Sequence, residues 1–155
     1  MAGSEPISVD FRTPKGFSAA TDYMILVPLT PNLRSQWRVP SGTNGYDVIF
    51  VNSYVLPRDT HGWSRSRLIE QVRGYARQVH ARNPDAAVGV TTVAGLPAYQ
   101  QRVDQPDASD TLHYDATFVF FDQYLVQVGC QWRHRRSVVT TGCRTVLATL
   151  RIGDV

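Results

Sequence analysis

The densest chemistry in the chain stands near its end, at Trp132-Arg133-His134-Arg135-Arg136. Cationic groups beside an aromatic ring could grip a phosphate or an acidic partner, or stack on a nucleic-acid base. The cluster falls between a strand and a helix, where free backbone N–H groups favour an anion. A solvated loop is the plainer account, and without an RNA- or DNA-binding signature no nucleic-acid partner is expected. A second candidate is His113 with Asp115, an i, i+2 pair on one strand face that could act as acid and base in a small hydrolase. Such a pair needs a nucleophile, and neither Ser64 nor Ser109 lies in a G-x-S-x-G elbow. The histidines His61, His80, His113 and His134 lack H-E-x-x-H or His-x-His spacing, so no metal is expected. Neither a P-loop nor G-x-G-x-x-G occurs, and no cofactor is expected. Phe121 lies off the face shared by Phe118 and Phe120 and is expected to be exposed or part of a contact surface.

Two cysteines, Cys130 and Cys143, are separated by twelve residues and have no Cys or His pair beside them to suggest zinc. Cys130 shares a strand face with Val126 and Val128. Cys143 lies on the apolar stripe of the closing helix, beside Val139, Val146 and Leu150. If that helix covers that strand face, the two sulfurs point at each other and a disulfide is expected. Two buried free thiols are the alternative. A bond closing this loop would add about 3 kcal/mol and would persist in an oxidising compartment.

The remaining composition bounds the answer. At 155 residues, 43% hydrophobic and 19% charged, the chain reads as one soluble domain, without a disordered tail or a fibrous repeat. No apolar run approaches the roughly 20 residues that span a bilayer. The net charge of +3 is mild, but Lys15 is the only lysine among 16 cations. That bias is what a GC-rich genome produces and points to an actinobacterial source. Residues 1–6 are short and polar and read as a vector-derived remnant or a flexible lead-in ahead of a single domain spanning 7–153. A targeting or anchoring segment would then have preceded them.

The elements that position these residues follow from periodicity. Ile7, Val9 and Phe11 alternate, and Thr13-Pro14-Lys15-Gly16 ends the strand with a turn signal. Residues 23–29 and 46–56 read as strands. Residues 30–45, with Pro31, Pro40, Gly42 and Gly45, read as an irregular loop with Trp37 folded back on the core. From Ser64 to Arg82 the apolar positions Leu68, Ile69, Val72, Tyr75, Ala76 and Val79 mark one face of a helix, stopped at Asn83-Pro84-Asp85. Residues 88–103 alternate as two strands broken at Ala94-Gly95-Leu96-Pro97. A polar loop over 104–110 then leads into a hairpin, 114–132, around Asp122-Gln123. A helix over about 140–151 closes the chain. The order predicts an α+β fold: an antiparallel β-sheet of six to seven strands, flanked by a central and a C-terminal helix, with both helices on one face.

This order resembles the PsbP-like fold, shared with the Mog-type proteins and many bacterial envelope lipoproteins. Carrying residues are Phe11-Arg12-Thr13-Pro14-Lys15-Gly16-Phe17, the helix 64–82, Val93-Ala94-Gly95-Leu96-Pro97-Ala98, the hairpin 114–132, and the closing Leu147-Ala148-Thr149-Leu150-Arg151-Ile152. With the arginine bias, it is similar to actinobacterial lipoproteins of the LpqN and LpqT type. The resemblance implies a non-catalytic, monomeric, secreted or envelope-anchored domain that binds a protein partner or a lipid-like amphiphile. Its membrane contact would be made only through an anchor outside this sequence. The family has no shared catalytic motif, so no active-site residue carries over.

Overall fold

Alternation along the strands builds two packed surfaces on one sheet. The computed structural model describes residues 7–20, 34–41, 46–55, 62–82, 87–106 and 111–154. Its elements are β1 (Ile7–Asp10), β2 (Phe17–Ala20), β3 (Arg34–Pro40), β4 (Val48–Val55), α1 (Arg65–Arg82), β5 (Ala87–Val93), β6 (Leu96–Pro106), β7 (Thr111–Phe121), β8 (Tyr124–Trp132), α2 (Arg136–Thr149) and β9 (Arg151–Asp154). Seven strands form a sheet in the order β2-β3-β4-β8-β7-β6-β5, and β1 pairs with β9 beside it. Every described pairing is antiparallel. The chain thus has the α+β architecture, an antiparallel sheet with a central and a C-terminal helix, that its element order predicts.

Local chemistry sets the corners. Ala94 and Gly95 both take positive φ, which matches the twist of a two-residue hairpin between β5 and β6. Gly16, at φ +84°, completes a turn closed by the Phe17 amide donating to the Pro14 carbonyl at 3.0 Å.

One sheet face carries Ile49, Val51, Val126, Val128 and Cys130 against Val139, Cys143 and Val146 of α2, with Ile7 and Val9 of β1 in the same cluster. Gly142 allows the helix to approach. A Cβ there would lie 2.9 Å from both Ile49 Cδ1 and the Phe17 ring. The other face holds Phe50, Tyr99, Tyr114, Phe118 and Phe120. Within it runs a buried polar chain. Asn52 Nδ2 donates to the Tyr54 hydroxyl at 3.2 Å, Tyr54 donates to Gln127 Oε1 at 2.9 Å, and Gln127 Nε2 donates to the Tyr114 hydroxyl. Burial pushes the Tyr114 phenol well above its ordinary pKa, although the Gln127 bond opposes this.

Four expectations are revised. Residues 34–40 form a strand, because Trp37 and Val39 alternate inward and Pro40 falls at its end; Trp37 does pack on the core. The closing helix begins at Arg136, four residues earlier than the apolar stripe indicated, and gives way to β9 where Ile152 turns inward to pair opposite Val9. The helices lie on opposite faces. α1 packs on β5 and β6, which bury Tyr99 and Gln101 on one side and leave Gln100 and Arg102 exposed on the other, so α1 covers the former. α2 packs on β8 and β4 from the other side. Residues 104–106, expected to open a polar loop, continue β6 in pairing with β7, while the lead-in 1–6, the strand 23–29, His61, the stop at 83–85 and residues 107–110 lie outside the described residues.

Candidate functional site

The placement of α2 creates the site. The helix covers β8 and β4, while the same face of β5, β6 and β7 extends past its edge. The result is an open groove of about 720 Å³, within the usual range for a small-molecule site. Its helix wall presents Arg136, Ser137, Thr140, Arg144 and Leu147. Opposite stand Gln100 and Arg102 of β6 with Asp115 and Thr117 of β7, and the disulfide cysteines line the floor.

Pairing register explains the polar wall. Arg102, Asp115 and Cys130 share one rung across β6, β7 and β8, and Gln100, Thr117 and Val128 share the next. The β8 member of each rung lies under α2 and is apolar, whereas the β6 and β7 members beyond its edge are polar. Arg102 and Asp115 form a two-pronged pair, Nε to Oδ1 at 2.7 Å and Nη2 to Oδ2 at 3.0 Å. Gln100 Nε2 donates to Thr117 Oγ1 at 3.3 Å. The Asp115 hydrogen bond and charge raise the Arg102 pKa further, so this guanidinium stays ionised.

Cys130 and Cys143 form a disulfide with their Cα atoms 6.2 Å apart. It ties the strand under α2 to the middle of the helix and holds the groove at a set width.

The Trp132–Arg136 cluster is taken apart by the fold. Trp132 is a core residue, stacked on the His113 ring at 5.4 Å, and does not stand free as a platform. The Arg133 guanidinium lies 4.0 Å over the Tyr46 ring, and Arg135 Nη1 donates to the Ser41 carbonyl. His134 is exposed. The loop also carries its own anion: buried Asp47 accepts the backbone N–H groups of Arg133, His134 and Arg135 through Oδ1, at 2.9, 3.4 and 3.3 Å. An external anion at those amides is therefore displaced by Asp47. Of the five residues, Arg136 is the one that lines the groove.

Two further expectations are corrected. Phe121 is half-buried against the α2-side core, because it shares the face of Val119. It also sits at the hairpin end of β7, whereas Trp132 ends β8 at the other, about 25 Å away at the usual rise per residue. His113 and Asp115 do not form an acid–base pair. His113 Nδ1 shares a 2.7 Å hydrogen bond with Asp104 Oδ1, and Asp115 is held by Arg102. Among the described residues no cluster of three His, Cys, Asp or Glu side chains could hold a metal.

Arg144, Arg102, Gln100 and Thr117 escaped the sequence reading. The available signal was polar residues at alternate positions of β6 and β7, opposite in charge at 102 and 115. With the helix started at Thr140, the row Arg136, Thr140, Arg144 at i, i+4, i+8 was not visible either.

No protein-family model and no curated protein matches this sequence. Solved structures do. LpqN, involved in cell envelope biogenesis of Mycobacterium tuberculosis, matches with TM-score 0.61 at 10% identity, over 97% of this chain and 87% of that one. A crystal structure from Bacteroides thetaiotaomicron VPI-5482 matches with TM-score 0.59 at 9% identity, over 94% of this chain but only 44% of that one. The cyanobacterial PsbP of Synechocystis sp. PCC 6803 matches with TM-score 0.52 at 12% identity, over 97% and 94%. At such identities the likeness is one of fold, and the chain has a PsbP-like fold resembling that of LpqN.

Proposed function

We propose that this chain is a non-catalytic domain of the cell envelope, working outside the cytoplasm, that holds an amphiphilic ligand in the groove beside α2. The observation that carries the reading is the groove itself. A cleft of about 720 Å³ is left open where α2 stops short of β5–β7, on a fold similar to that of an envelope-biogenesis protein. Its walls support binding more than reaction. The carboxylate within it is engaged by Arg102, and the histidine nearest on that strand is engaged by Asp104. The Cys130–Cys143 disulfide supports an oxidising compartment.

Native mass spectrometry of protein purified from an actinobacterial host, compared with its denatured and alkylated mass, tests this reading. The expected result is a co-purifying adduct with both cysteines resistant to alkylation. A bare protein with an intact disulfide would redirect the reading to a protein partner, and two alkylated thiols would overturn the compartment.

A further inference from the structure

The groove is not evenly polar, and its charge does not cancel. Among the described residues, Arg102, Arg136 and Arg144 line it against a single carboxylate, Asp115, so three positive charges meet one negative and two remain. Asp115 is already engaged by both prongs of Arg102. Neither the Arg136 nor the Arg144 guanidinium has a partner among the described residues. The two stand one helical turn on either side of Thr140, in a row at i, i+4, i+8. Neighbours in such a row have Cβ atoms about 5–6 Å apart, within the reach of an arginine stem. Thr140 turns its hydroxyl back, donating to the Arg136 carbonyl at 2.8 Å, and so leaves the space above it to the arginines. Ser137 adds a hydroxyl on the same wall.

Polarity also changes along the groove. From the Trp132 end the β6–β7 rungs run Arg102/Asp115, then Gln100/Thr117, then Ala98/Val119. On the helix wall the order is Arg136, Thr140, Arg144, Leu147. Both walls pass from charged to apolar in the same direction.

We infer that Arg136 and Arg144 seat an anionic head group, a phosphate monoester or carboxylate, above Thr140, with any hydrocarbon attached to it directed toward Leu147. The inference rests on the groove being the ligand site and adds the chemistry of the head group. Guanidinium forks match the oxygens of a phosphate or carboxylate better than any neutral group does. The site is open, so the attraction weakens with salt.

Calorimetric titration below the micelle concentration tests this with three probes: dodecyl phosphate, the neutral dodecyl maltoside, and inorganic phosphate. Dodecyl phosphate is expected to bind at least about tenfold more tightly than dodecyl maltoside at low salt. Arg136→Gln with Arg144→Gln should abolish that preference while leaving the thermal midpoint in place, and Arg136→Lys with Arg144→Lys should restore part of it. Equal affinity for the charged and neutral amphiphiles would overturn the head-group assignment and leave the groove as an amphiphile site. Failure of both to bind would overturn the groove reading as well. If inorganic phosphate binds as tightly as dodecyl phosphate and is lost in the double Gln variant, the anion seat stands and its source is a free anion.

Discussion

The two faces of β6 and β7 carry the same backbone and opposite fates. On the α1 side Tyr99, Gln101, Tyr114, Ala116 and Phe118 are buried, and the ring of Tyr99 stacks on that of Phe118 at 4.7 Å. On the α2 side the intervening Gln100, Arg102 and Asp115 stay at the surface of an open groove, with Thr117 buried at its floor. A sheet face is apolar only as far as something covers it. α2 stops over β8, and the rungs change from Val128 and Cys130 to Thr117 and Asp115 within one strand's width. Where the helix sits therefore decides where the site is. The difference between the faces can be attacked at the anchors of the helix, at the packed face and at the groove wall.

The largest effect is expected from the anchor. Replacing Cys130 and Cys143 together by Ser removes a cross-link over a 13-residue separation, at a cost of about 3 kcal/mol by the chain-entropy account. Chemical denaturation under non-reducing conditions measures it, and ligand affinity should fall as well, because α2 loses its fixed distance from β8.

On the opposite face, Gly129 stands across from Phe50 in β4, and a Cβ there would meet the Phe50 ring at 2.0 Å. Gly129→Ala should cost about 1–3 kcal/mol through forced displacement of the ring. It should leave groove binding unchanged if the faces are independent. Loss of both would show that the two faces act as one unit.

A third expectation concerns alkaline pH. Burial raises the Tyr114 pKa in the folded state, so the native protein keeps a proton that the unfolded chain releases. The corresponding stability is fully present below the ordinary phenol value of about 10 and is lost as the pH rises above it. The denaturation midpoint should fall above pH 10, and Tyr114→Phe should flatten that fall. The smallest effect is expected at the groove wall. Arg102 and Asp115 are partly exposed, with side-chain accessibilities of 53% and 30%. Asp115→Asn should change stability by less than about 1 kcal/mol.

Periodicity made much of this architecture legible. The helix α1, the β7–β8 hairpin and the facing positions of Cys130 and Cys143 all follow from residue spacing, and the hairpin and the cysteines were legible because their strand faces are buried. What escaped was set by tertiary contacts. β3 carries two arginines and ends in Pro40, which looks like loop, and becomes a strand through pairing with β4. β9 is four residues long and exists through pairing with β1. The basic run 132–136 looked like one site, yet it spans the end of a strand, a capped loop and the first turn of a helix. Those elements send its side chains in different directions. The groove residues come from β5, β6, β7, β8 and α2, and only the register brings Arg102 and Asp115 beside the helix row of Arg136 and Arg144.

A ligand held beside α2 should disturb the groove walls and leave the packed α1 face alone. Backbone amide NMR of the isotopically labelled protein, titrated with dodecyl phosphate, tests this most directly. Shift changes confined to Arg136, Ser137, Arg144, Gln100 and Thr117, with the α1-side residues Tyr99, Tyr114 and Phe118 unmoved, are the predicted result. Changes centred on the α1 side, or none at any ligand concentration, would contradict it.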